Sequence, residues 1–168
     1  MRLTLVPQRH PRGVLPYGSR RRMEALAALG WPISEQECRL GHPDLFGRLT
    51  RQKYVRPATA RAIERLYSEL WAQTPPDTLG SRRVKARAER AGWPRPAEWD
   101  DDLIDLPPSA LAAAIEREVS SLEPAELHRC ARDREAGGRG LLTLAAAREF
   151  ERRKSAKRRE RRGAVRAA

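Results

Sequence analysis

Residues 19–67 decide how this chain folds: SRRRMEALAALGW (19–31), SEQECRLG (34–41), PDLFGRLT (43–50) and RPATARAIERLY (56–67). Each piece sets apolar residues at helical spacing, and each is closed by a glycine or a polar bend. Ser19 is the expected N-cap of a first helix that carries Met23, Leu26 and Ala27 inward and stops at Gly30. Trp31-Pro32 bends the chain. Ser34, with Glu37 three residues on, matches a capping box for a second helix that ends at Gly41. Pro43 and Asp44 open a third, with Leu45, Phe46 and Leu49 toward the core. Arg51-Gln52-Lys53-Tyr54 forms a basic bend. After Arg56-Pro57 comes a fourth helix, with Ile63, Leu66, Tyr67, Leu70 and Trp71 facing inward and Thr59 and Arg61 outward.

Outward from this stretch, charge is the dominant property. The chain has 168 residues and a net charge of +12. By segment the balance is +7 over 1–60, +3 over 61–99, −6 over 100–138 and +8 over 139–168. Basic ends around an acidic centre imply modules, and the excess of positive charge favours a polyanionic partner. Arginine outnumbers lysine thirty to four. That ratio fits phosphate recognition by planar guanidinium groups, and equally a GC-rich genome with plentiful arginine codons. Cys38 and Cys130 are far apart and outside any CxxC spacing, which suits a reducing cytoplasm. His42, His128 and Cys130 do not supply a metal-ligand set, so no metal and no cofactor are expected. No apolar run is long enough for a membrane span, and no signal peptide is visible, so no membrane partner is expected.

The expected organisation is all-α. Residues 1–18 form a flexible, proline-containing arm, whose Arg9, His10 and Arg12 either reach a minor groove or belong to a loose terminus. Residues 19–73 form a helical domain. Residues 74–108 hold a basic helix from Ser81 to Ala91 and an acidic strap, with Trp93 and Trp99 pinning the strap inward. Residues 109–168 hold C-terminal helices at 109–122 and 125–134. A last helix, capped by Thr143, runs into a solvated or disordered basic tail: Arg152, Arg153, Lys154, Lys157, Arg158, Arg159, Arg161 and Arg162. The Asp100-Asp101-Asp102 run has no neighbouring histidine or base, so capping or contact with basic side chains explains it better than catalysis.

A helix, a tight turn and a second helix inside a small bundle is the arrangement of a DNA-reading helix-turn-helix, whose second helix enters the major groove. On that arrangement the base-contacting candidates are Asp44, Arg48, Arg51 and Gln52, and the phosphate-contacting candidates are Arg20, Arg21, Arg22, His42, Lys53 and Arg56. ALAALGW (25–31), RLG (39–41), YVRPATARAIERLYSELW (54–71) and AGWPRPAEWDDDLID (91–105) carry a resemblance to the repressor-type helix-turn-helix family. It looks especially like small helix-turn-helix proteins of actinobacteria and their phages. The resemblance spans about residues 20–106 and implies sequence-directed DNA binding. The chain departs from that pattern at Gln36-Glu37, where the family has an apolar and a small residue. It departs again at His42-Pro43, where a small apolar residue and serine are usual.

The expectation is therefore a non-enzymatic, nucleoid-associated binder of double-stranded DNA that regulates transcription. No P-loop, nucleophile elbow, dinucleotide fingerprint or zinc-hydrolase motif is present. Two alternatives remain: an RNA- or ribosome-associated protein led by its basic tail, and an adaptor that holds a protein partner at the acidic strap.

Overall fold

The computed structural model describes residues 13–100 and 102–167, and the protein is all-α. The helices are α1 (Tyr17–Leu29), α2 (Ile33–Leu40), α3 (Leu45–Arg51), α4 (Pro57–Leu70), α5 (Leu79–Ala91), α6 (Pro108–Ser121), α7 (Pro124–Glu135) and α8 (Leu141–Ala167). A 3-10 turn at Pro96–Glu98 stands between α5 and α6. The chain divides into two compact units between Pro108 and Ser109.

In the first unit α1 is the hub. Met23, Ala25, Leu26 and Ala27 are fully buried, and the small alanines let α3, α4, α5 and the 3-10 turn approach closely. One cluster joins Met23 to Leu45, Phe46, Leu49, Val55 and Ile63, with Val14 and Trp93 packed against it. A second joins Leu26, Trp31, Leu66 and Leu70. In the second unit Val119, Leu127 and Ala146 form the core, flanked by Ile115, Leu122, Cys130 and Phe150.

Helix ends follow the glycines. Gly30, Gly41 and Gly92 are all left-handed and close α1, α2 and α5. After two of them a tryptophan amide reaches back into the last turn, Trp31 to the Leu26 carbonyl and Trp93 to the Ala88 carbonyl. This double closure turns the tryptophan under the helix it follows, which accounts for the repeated Gly-Trp-Pro.

Helix starts differ from the sequence expectation. Ser19 is buried inside α1, which begins at Tyr17 behind Pro16. α2 begins at Ile33 behind Pro32 with no side-chain cap, so Ser34 is not its cap. Proline presets φ for a first turn and makes a hydroxyl cap unnecessary. α5 begins at Leu79, where the Thr78 hydroxyl accepts from the Ser81 amide. α8 begins at Leu141, ahead of the expected Thr143 cap. Trp71 is exposed rather than inward. The end of the expected arm is structured too: Val14 and Val55 exchange both backbone hydrogen bonds. Arg9, His10 and Arg12 lie outside the described residues. No described helix is long and apolar enough to cross a membrane.

Candidate nucleic-acid interface

Gln36 and Glu37, side by side on α2, hold that helix against α1 and α3 respectively. Gln36 is fully buried, and its amide donates to the Met23 and Trp31 carbonyls at 3.2 and 2.9 Å. It ties α2 to the middle of α1 and to the turn that follows that helix. Glu37 accepts a hydrogen bond from the Phe46 amide at 2.9 Å. A carboxylate from one helix thus satisfies an open amide in the first turn of the next, where the helix dipole also favours it. At the turn, Gly41 takes φ 65 and the His42 amide returns to the Glu37 carbonyl.

Asp44 precedes α3 in the left-handed region at φ 54, a conformation that Asp tolerates better than most residues. Its carboxylate pairs with Arg51 at 2.8 Å, both side chains being about two-thirds exposed. Gly47 leaves room for this pair, because a Cβ there would push the Asp44 carboxylate and the Arg51 guanidinium aside. Arg48 is half-buried, with Nη2 donating to the Pro43 carbonyl at 3.2 Å and Nε without a partner. Gln52 is exposed at the end of the helix. The four base-contact candidates therefore share one short helix and its two caps.

The phosphate-contact candidates separate. His42, Lys53 and Arg56 are exposed beside α3, Lys53 lying 5.8 Å over the Tyr54 ring. Arg20 pairs with Glu24 at 2.9 Å; Glu24 is 7% exposed, and burial raises its pKa against the opposing pull of Arg20. Arg21 and Arg22 serve the fold. Arg21 donates to the Ile104 and Leu106 carbonyls and stacks 5.2 Å over Trp99. Burial lowers its pKa. Arg22 forms a two-pronged pair with Asp105. Burial acts to lower the Arg22 pKa, but the bond to Asp105 outweighs it and the net shift is upward. Gly18 is the seat of this pair, since a Cβ there would fall on the Asp105 carboxylate. The strap is thus clasped by α1. Asp100 turns the backbone, its side chain accepting from the Asp102 amide.

α5 adds cations that the sequence expectation did not single out. Ser81, Val84 and Ala88 are its buried side, while Arg83, Arg87 and Arg90 are exposed at i, i+4 and i+7. Arg87 lies 5.2 Å over Trp93 and 5.9 Å from Phe46 of α3, and these two rings meet edge to face at 5.6 Å. The spacing was readable as a stripe. Its place beside α3 was not, because it depends on the long-range Phe46–Trp93 contact.

In the second unit Arg152 and Arg153 both bond Glu149, and Lys154 pairs with Glu151. Lys157, Arg158, Arg159 and Arg162 are exposed. The Arg161 side chain lies outside the described residues. Among the described residues no three His, Cys, Asp or Glu side chains group around a potential metal position. No protein-family model, curated protein or solved structure matches this chain.

Proposed function

We propose that the first unit binds double-stranded DNA by laying α3 in the major groove, and that the protein regulates transcription in this way. One observation carries the proposal: Glu37 joins α2 to the first turn of α3 and Gln36 joins α2 to α1, while Asp44, Arg51 and Gln52 are exposed around α3 and Arg48 is half-buried beside them. A helix with its side chains is about 10–12 Å across, which fits a groove about 12 Å wide. Arg48 and Arg51 suit guanine O6 and N7, and Gln52 suits adenine. Asp44 has two uses. It holds the Arg51 guanidinium in the free protein, and an exposed pair of this kind is worth only about 0–1 kcal/mol, so DNA can take the arginine over. It can also accept from a cytosine amino group. Lys53, Arg56 and His42 flank the helix as phosphate contacts. Arg21 and Arg22 are left out, because their donors are spent on the strap.

The test is selection from a pool of random duplexes, followed by affinity measurements on the selected duplex, a scrambled duplex, single-stranded DNA and RNA. Arg48→Ala and Arg51→Ala should each cost about 1–3 kcal/mol of discrimination between selected and scrambled duplex. Unchanged discrimination in both variants, or tighter binding of the wild type to single strands or RNA, would refute the proposal.

A further inference from the structure

We infer that Arg83, Arg87 and Arg90 of α5 form a phosphate-gripping row that follows one DNA strand alongside the groove occupied by α3. The inference rests on the duplex-binding reading above and adds a second contacting element to it.

Three observations carry it. The three arginines stand at i, i+4 and i+7 on the exposed side of α5. Arg83 and Arg90 have no hydrogen-bond or ion-pair partner among the described residues, unlike Arg82, which pairs with Asp77 at 3.1 Å. Finally, Arg87 fixes the row's position relative to α3. It lies against both Phe46 of α3 and Trp93, which follows α5. A stacked guanidinium keeps its edge donors free and aimed, which makes it a pre-oriented phosphate ligand.

The dimensions agree with this role. Arg83 to Arg90 spans about 10 Å of helix, and because a strand winds around the duplex its neighbouring phosphates lie about twice as far apart as their ~3.4 Å axial rise, so the row covers about one to two phosphate steps. A row of this kind gives affinity and register but no sequence information.

The probe is a duplex of random sequence, titrated with the full chain from about 50 to about 200 mM salt. The double variant Arg83→Gln/Arg90→Gln should lower the slope of log affinity against log salt by about 2, close to 0.9 per lost phosphate contact. The charge-retaining pair Arg83→Lys/Arg90→Lys should restore most of that slope. Preference for the selected duplex over a scrambled one should persist in both. Tryptophan fluorescence during urea unfolding checks that the first unit remains intact in each variant.

An unchanged slope in the glutamine variant of a duplex-binding protein would overturn this inference and leave the α3 proposal standing. Loss of sequence preference with the slope unchanged would overturn it too, by making α5 a base reader. If Arg48→Ala and Arg51→Ala are silent while the α5 variant loses slope, α5 grips phosphate but its placement alongside α3 falls together with the docking of α3. If the wild type does not bind duplex DNA, both are wrong.

Discussion

At the scale of single residues, the polar side chains in unexpected places are those that position the helices. Gln36 stands where an apolar residue was expected, and the reason is a carbonyl left open where the chain leaves α1. Replacing it with leucine keeps most of the volume but leaves the buried Trp31 carbonyl without its donor. That should destabilise the first unit by about 1–3 kcal/mol. All four tryptophans lie before Pro108, so fluorescence during urea unfolding reports this unit alone. An unshifted midpoint would show that the amide contributes nothing. Residues of this kind were hard to read from sequence. Arg20, Arg21 and Arg22 form one uniform basic run there, yet Arg21 and Arg22 are engaged by a strap more than eighty residues away. Only Gly18 hinted at that approach, and its meaning depends on Asp105 being its neighbour.

At the scale of elements, the ends of helices were legible and several of their starts were not. Gly30, Gly41 and Gly92 stop helices through local geometry, so a local reading found them. Starts behind Pro16 and Pro32 need no side-chain signal, and nearby serines misled. Where proline sits at the first helical position, in α4, α6 and α7, the expected start lies within a residue of the observed one. The candidate site follows the same division. The α2–turn–α3 order and its outward residues are local and were readable, whereas the α5 row needs tertiary contact to acquire a position. The latter part of α8 is a third case, held within itself by pairs such as Arg152 and Arg153 on Glu149. Hydrogen bonds from those two arginines hold the Glu149 pKa down at about 2 instead of 4.5. A lowered carboxylate pKa stabilises the helix above the ordinary value and ceases to do so as the acid is protonated. Glu149→Gln should therefore reduce helical circular dichroism relative to wild type above pH 4.5, with the difference closing as the pH falls toward 2. A difference independent of pH would assign the effect to packing instead.

For the whole molecule, the two units differ in what they bury. The first has two clusters containing Met23, Phe46, Leu26, Trp31, Ile63 and Leu70. The second relies on Val119, Leu127 and Ala146 with partly covered neighbours. Stabilisation scales with apolar area removed from water at about 25 cal/mol per Å², and small units bury the least of it. The second unit should therefore melt first. It contains no tryptophan or tyrosine, so its unfolding is invisible to near-ultraviolet fluorescence, although it carries the longest helix in the structure. On heating, far-ultraviolet circular dichroism should fall in two steps, with tryptophan fluorescence following only the second. A variant with Leu127→Ala should move the first step down and leave the second in place, since it removes about 2–5 kcal/mol of core packing from one unit alone. Coincident transitions by both probes, shifting together in that variant, would instead mean that the two units unfold as one cooperative body.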